Sequence, residues 1–260
     1  MTTTDFLNLT NDSALLARNI GVYSFDTVDS TNSEARRSVL TGKVNVPALF
    51  IANTQTGGRG RMGRSFFSPA ETGIYMTLAL DVSGDKATDT VRLTAATAVA
   101  VSRAINEVTG ITVGIKWVND LYFDQKKVCG ILAESFSLGD RRYALIGVGI
   151  NLSTKTFPNE LCNVAGSICK TDGARRELAL AVCREIYDAY QKNDRSFMDE
   201  YRALSVVLGK NVRFLVDGET HEGQAVEIDG DGALLVKTIG GEIKRLCSGE
   251  ITLRLSEVEK

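Results

Sequence analysis

The ten residues Gln55-Thr56-Gly57-Gly58-Arg59-Gly60-Arg61-Met62-Gly63-Arg64 hold four glycines and three arginines, directly after an apolar, strand-like run at 48–55. Gly58 to Gly63 has the spacing G-x-G-x-x-G, yet a dinucleotide-binding turn must open a helix of about a dozen residues. Here Ser65-Phe66-Phe67-Ser68-Pro69 follows, and then a second strand-like run at 73–80. That context excludes a Rossmann turn, and the chain has no G-x-x-x-x-G-K-S/T phosphate loop either. What remains is a loop between strands. Its glycines expose backbone N–H groups and admit a ligand closely, and its arginines offer donors to carboxylate or phosphate. A nucleic-acid arm is disfavoured, since Lys plus Arg (30) nearly equals Asp plus Glu (32) and the net charge is −2. A plain solvated turn stays open at this point.

The flanking patterns alternate strand and helix periods. Ser30 to Glu34 reads as a helix start, with Thr31 and Glu34 at capping-box spacing and Gly42 as the stop. Asp89 is expected to cap a helix that carries Leu93, Thr97, Val101, Ala104 and Val108 on one face and ends at Gly110. Residues 111–118 lead into Asn119-Asp120, a hairpin about Asp124-Gln125-Lys126 is expected to end at Glu134, and 142–152 reads as a buried strand. Two more helices follow, one with Leu178, Val182, Ile186 and Ala189 on a stripe, the other with Phe197, Tyr201 and Leu204 after Asp194. Beyond Leu208-Gly209 the turn signals Asp217-Gly218, Asp229 to Gly232 and Gly240-Gly241 predict a small antiparallel barrel. The expected division is therefore 1–206 and 207–260.

Composition removes several chemistries. The chain of 260 residues has a single histidine, His221, which leaves little room for zinc sites, Ser-His-Asp triads or histidine acid–base pairs. Its five cysteines (Cys129, Cys162, Cys169, Cys183 and Cys247) show no C-x-x-C spacing and read as reduced, mostly buried thiols. No apolar run reaches spanning length and the amino terminus lacks a secretory layout, so the expected compartment is the cytoplasm.

Two further clusters carry chemistry. In Lys116-Trp117-Val118-Asn119-Asp120, with Lys126-Lys127 and Cys129-Gly130-Ile131-Leu132 beyond it, a lysine, an amide and a carboxylate stand at a strand end. Such a set can pair phosphate, purine edge, ribose or metal; Asn-Asp is equally a common turn, and Lys126-Lys127 a common hairpin tip. In Gly147-Val148-Gly149-Ile150-Asn151-Leu152, two glycines within a strand indicate either a bulge or the close approach of a ligand or another backbone.

Taken in order, Asp29-Ser30-Thr31-Asn32, Gln55 to Arg64, Lys116 to Leu121, Lys127-x-x-Gly130-Ile131-Leu132, Gly147 to Asn151 and Ser248-Gly249-Glu250-Ile251 closely resemble the biotin protein ligases, from about Val22 to Leu253. The resemblance implies an α+β catalytic domain of mixed, largely antiparallel sheet and helices, similar to class II synthetases, plus a C-terminal SH3-like barrel. It implies formation of biotinyl-5′-AMP from biotin and Mg-ATP, with no tightly bound cofactor, and transfer of biotin to a lysine of a carboxylase carrier domain. By position, Lys127 and Arg61 would be catalytic. Ser30, Thr31, Asn32, Gln55, Gly58, Arg59, Gly60 and Gly130 would bind biotin together with them. Arg61, Arg64, Phe66, Lys116, Trp117, Asn119, Asp120 and Asn151 would face the nucleotide, Asp120 also its magnesium. The loop 56–67 would be mobile until a ligand orders it, and the barrel would serve acceptor transfer more than adenylation.

Val118 stands where the family usually has proline, and Phe66 where well-known members carry tryptophan. The short segment before the first motif leaves no room for a winged helix-turn-helix, so the resemblance is to the ligase-only type, a monomer or homodimer binding neither DNA nor membrane. A lipoate or octanoyl attachment enzyme and a non-catalytic biotin-sensing regulator are the competing readings.

Overall fold

The computed structural model describes residues 8–84, 90–169, 173–192, 194–216, 219–247, 249 and 251–253. Strands β1 (Gly21–Val28), β2 (Ala48–Gln55), β3 (Gly73–Asp81), β4 (Gly114–Lys116), β5 (Asp120–Phe123), β6 (Lys126–Leu138) and β7 (Arg141–Asn151) form one sheet in the order β1-β2-β3-β7-β6-β5-β4. Only β1 and β2 are parallel. The helices are α1 (Ser13–Leu16), α2 (Thr31–Leu40), α3 (Thr90–Thr109), α4 (Arg175–Lys192) and α5 (Phe197–Ala203). A parallel pair needs a crossover, and α2 supplies it.

Alternation along the strands splits the sheet into two faces. Leu49, Ile51, Leu78, Leu80, Ile146 and Ile150 belong to a large core with α3, α4 and α5. On the opposite face Ala48, Phe50, Ala79, Tyr143 and Leu145 pack under Ala35 and Val39 of α2. α2 covers only part of that face, and the candidate site occupies the rest.

Several boundaries differ from expectation for identifiable reasons. The N-cap of α2 is Ser30, without a side-chain capping bond, so the Thr31–Glu34 box does not form. Thr31 Oγ1 is turned to Gln55 instead, and Glu34 takes bonds from Arg37 and Ser38. The β6 strand runs past Glu134 to Leu138, because the reversal into β7 falls at Gly139, with φ 59°. Only Cys129 and Cys183 are buried, whereas Cys169 is partly exposed and Cys162 and Cys247 lie at the surface.

Strands β8 (Asn211–Val216), β9 (Glu219–Ile228), β10 (Leu234–Thr238), β11 (Ile243–Leu246) and β12 (Ile251–Leu253) form an antiparallel sheet in the order β11-β10-β9-β8-β12. Its inward residues Val212, Phe214, Ala225 and Val236 are continuous with the large core. Two hydrogen bonds help tie it to the larger module: Trp117 Nε1, between β4 and β5, donates to Gly232 O at 2.9 Å, and Arg202 Nε of α5 to Ile228 O at 2.7 Å. The expected cap Asp89, the turn Asp217-Gly218, and Ser248 and Glu250 lie outside the described residues. Among the described residues no helix is long and apolar enough to cross a membrane.

Tyr201 of α5 is fully buried and its hydroxyl donates to Val118 O at 3.0 Å, which fixes the segment between β4 and β5. Tyr201→Phe leaves that carbonyl without its donor and is expected to lower stability by about 1–3 kcal/mol. Chemical denaturation measures this, and a loss below about 0.5 kcal/mol would mean that the bond contributes nothing.

Candidate functional site

The uncovered part of the α2 face is built in rows across the ladder. Phe50, Thr77, Gly147 and Leu132 are register partners in one row, and Ala52, Tyr75, Gly149 and Gly130 in the next. Gly147 and Gly149, two apart in β7, therefore face the same side and open a shallow floor. The β7 ladders show no register shift on either side, which rules out the bulge. What approaches the glycines is side chains. A Cβ on Gly147 would overlap Asn32 Oδ1, and one on Gly149 would lie 2.6 Å from the ring of Phe66.

The first turn of α2 brings polar groups to this floor. Gln55 Oε1 accepts from Thr31 N at 2.9 Å and Thr31 Oγ1 at 3.2 Å, while Gln55 Nε2 donates to Ser68 Oγ at 2.8 Å. Thr77 Oγ1 donates to Asn32 Oδ1 at 2.6 Å, and Asn32 Nδ2 donates to Glu134 Oε2 at 3.1 Å. Ser30 is buried beside them, its N–H donating to Asp29 Oδ1 at 2.7 Å. The Arg37 guanidinium bonded to Asp29 holds that carboxyl down at about 2, so this corner keeps its charge.

The glycine-rich loop closes on itself over the floor. Gly60 N donates to Arg64 O at 2.7 Å and Phe66 N to Gly58 O at 2.9 Å. Arg59 makes a two-pronged bond to Glu134, at 3.1 and 3.0 Å, and Arg61 Nη1 donates to Asn119 Oδ1 at 3.0 Å. Gly58 lines neither cavity described below. A side chain there would meet Ser68 Oγ at 2.7 Å, so this glycine serves the fold of the loop.

Two cavities adjoin on this face, of about 100 and 350 Å³. The smaller is lined by Ser30, Thr31, Asn32, Gln55, Arg59 and Gly60, with Arg61 and Gly130. The larger is lined by Lys116, Trp117, Tyr122, Asn151, Phe67 and Phe157, and by Gly249 and Ile251 of the second sheet. Arg64, Ser65, Phe66, Asn119, Asp120 and Lys127 belong to both and form their common wall. The structure thus gathers every expected site residue except Gly58.

At that wall Lys127 Nζ is ion-paired with Asp120 Oδ1 at 2.7 Å. Asn151 Oδ1, buried at the wall of the larger cavity, has no hydrogen-bond partner. Such an acceptor is unfavourable unless a ligand satisfies it. Asn119 is fixed to β6 by Nδ2 donating to Ile131 O and by its carbonyl accepting from Ile131 N, each at 3.0 Å. Lys116 Nζ stands 5.4 Å over the Tyr122 ring. Burial pushes the phenols of Tyr75 and Tyr122 up to about 12, so neither is a base near neutrality. Among the described residues no group of three or more His, Cys, Asp or Glu could hold a metal, which leaves Asp120 as the one carboxylate lining the cavities.

Sequence reasoning missed Thr77 and Glu134. Thr77 is a hydroxyl within the apolar run 73–80, a signal that was available; Glu134 gains its meaning only from cross-strand register.

The comparisons with known proteins agree with this geometry. The model of the Biotin/lipoate A/B protein ligase family matches residues 24–151, and that of the Biotin protein ligase C terminal domain matches 207–254. The Bifunctional ligase/repressor BirA of Bacillus spizizenii is 35% identical over 243 residues, covering 88% of this chain and 72% of that protein. The Biotin--[acetyl-CoA-carboxylase] ligase of Mycobacterium tuberculosis is 27% identical over 232 residues, covering 85% of each. The solved structure of the biotin protein ligase from Aquifex aeolicus in complex with biotin and ATP is similar with a TM-score of 0.78 and 30% identity, over 91% of this chain and 99% of that one. Sheet, cavities and second module together define an enzyme of the biotin and lipoate ligase class. The chain belongs to the biotin protein ligase family.

Gly147→Ala tests the floor. Asn32 is held by Thr77 and Glu134 and cannot swing aside without leaving buried polar groups unpaired, so a stability loss of about 1–3 kcal/mol is expected. Biotin affinity by calorimetry should fall at least about tenfold. Unchanged affinity would show that the Asn32 contact is dispensable.

Proposed function

We propose that this enzyme joins biotin and Mg-ATP to biotinyl-5′-AMP and then transfers biotin to a lysine of a carboxylase carrier domain. The observation that supports the reading is the wall shared by the two cavities, with Lys127 and Asp120 at the seam. The smaller cavity suits biotin. A ureido head presents one acceptor and two N–H donors, which Ser30, Thr31, Asn32 and Gln55 can satisfy, while Gly130 lets the rest of the molecule lie against the sheet. A lipoyl or octanoyl chain offers no such head and would leave that polar end unsatisfied. The larger cavity takes the nucleotide, with Lys116, Trp117, Phe66, Asn119 and Asn151 around it.

In the first step a carboxylate oxygen of biotin attacks the α-phosphorus of ATP, the P–O bond to the bridging oxygen breaks, and pyrophosphate leaves. One anion attacks another, so fixed positive charge is required where negative charge grows. Lys127 at the seam, with Arg61 and Arg64 from the loop, supplies it. Asp120, the carboxylate that lines both cavities, is the residue that would hold the magnesium arriving on the phosphates, and the ion would supply charge neutralisation there. In the second step the carrier lysine amine attacks the acyl carbon, AMP leaves with the carbon–oxygen bond pair, and the amine loses a proton. Closure of the loop 56–67 shields the mixed anhydride from water.

The acceptor reading draws on relatives named biotin--[acetyl-CoA-carboxylase] ligase. Residues 1–206 are the catalytic unit in this reading and 207–260 the appended barrel. In this reading Gly249 and Ile251, which line the larger cavity, let the barrel contribute to adenylation as well as to acceptor transfer.

Lys127→Ala should lower biotin-dependent pyrophosphate release at least about 100-fold, because a half-exposed lysine contributes charge rather than packing. Wild-type release would overturn its assigned role. ATP-dependent transfer of labelled biotin to a purified carrier domain tests the whole reading, and absence of both release and transfer in the wild-type enzyme would refute it. Biotinyl-5′-AMP should also slow amide exchange across 56–67; equal exchange with and without it would exclude closure.

A further inference from the structure

Glu134 is a carboxylate in an apolar place. Its register partner in β7 is Leu145, which pairs in turn with Ala79, and Ala79 pairs with Ala48, all three of these neighbours fully buried. A charge in such a row persists only when it is paired. Glu134 has three partners from two separate elements. Asn32 Nδ2 of α2 donates to it at 3.1 Å, Arg59 of the glycine-rich loop makes the two-pronged bond, and Arg36 Nη2 of α2 lies 3.9 Å away. Arg36 is itself stacked 4.7 Å over the ring of Phe136, the residue two further along β6 on the same face.

We infer that Glu134 is a positioning residue for the smaller cavity, joining the floor to the loop through one carboxylate. The loop between Gly58 and Phe66 is closed by its own backbone bonds, so its setting on the sheet depends on the few side chains that cross from it. On one side Arg61 crosses to Asn119; on the other Arg59 crosses to Glu134. A bidentate guanidinium–carboxylate contact fixes direction as well as distance. The same carboxylate accepts a hydrogen bond from Asn32 Nδ2, which leaves Oδ1 turned to Thr77 and lying over Gly147. Loss of Glu134 therefore loosens the cover and the floor of one cavity together, and leaves the larger cavity intact. The consequence for biotin rests on the proposed assignment of that cavity; the consequence for the loop does not.

The experiment has two arms. In the ligand-free enzyme, amide exchange of Gly60 and Phe66 is expected to rise at least about tenfold in Glu134→Ala, less in Glu134→Gln, which keeps an acceptor for Asn32. In steady-state turnover, Glu134→Ala should raise KM for biotin about tenfold while KM for ATP and kcat stay within about twofold. Arg59→Ala should reproduce the exchange effect, and the double variant should exchange no faster than Glu134→Ala alone, since both variants remove the Arg59–Glu134 contact. Unchanged exchange in Glu134→Ala, or single-variant effects that multiply in the double, would overturn the inference. If biotin is not the ligand of this cavity, the wild-type enzyme shows no biotin-dependent turnover while the exchange result still stands, so the two failures are distinguishable.

Discussion

The two-residue period of β7 governs where a ligand can lie. Tyr143 and Leu145 point into the apolar layer beneath α2, and the next two positions on that face, Gly147 and Gly149, carry no side chain at all. The helix covers the first pair and stops at Ser30, so the same strand is core at one end and binding floor at the other. Because β3 and β6 add Thr77, Tyr75, Leu132 and Gly130 in register, the floor spans three strands without a bulge or an added loop. A one-residue slip would turn Val148 and Ile150 onto the floor and close it.

That geometry sets the electrostatics. The floor of the smaller cavity carries the neutral groups of Thr31, Asn32 and Gln55 with the Arg59–Glu134 pair at its edge, while a second charged set, Lys127, Asp120 and Arg61, collects with Asn119 at its boundary with the larger one. For the proposed adenylation the position of the seam matters. A charged group under the ureido end would bind without assisting the reaction, whereas a cation at the seam interacts more strongly as the transition state forms than before it.

Much of this was legible in the sequence because it rests on local period. The strand at 48–55, the stripe of the long helix ending at Gly110, the hairpin at Asp124-Gln125 and the short turn-linked strands after Gly209 all follow from apolar spacing and turn residues, and the structure forms them. The residues that line the cavities came from the resemblance of the ordered motifs to a known family, and not from period. What the sequence could not display was pairing across the sheet. Glu134 looks like an ordinary strand carboxylate until Leu145 is known to lie beside it and Asn32 above it. The Thr31–Glu34 spacing misled because Thr31 gives its hydroxyl to Gln55, a residue 24 positions away.

The barrel illustrates the same limit at larger scale. Its strands could be read from turns, yet nothing local in Gly232 announces that its carbonyl accepts from Trp117, nor in Gly249 and Ile251 that they line the larger cavity. Trp117 carries both connections, since its ring lines that cavity while its Nε1 reaches the barrel. On the opposite side of the same short segment Tyr201 holds the Val118 carbonyl. The turn that presents Asn119 and Asp120 is thus set by two distant elements, α5 and the barrel, and its accuracy depends on both being docked. Placing the wall of the larger cavity at a junction of two modules makes the site's order a consequence of tertiary docking, so a loosened barrel would blunt the larger cavity before it disturbed the floor.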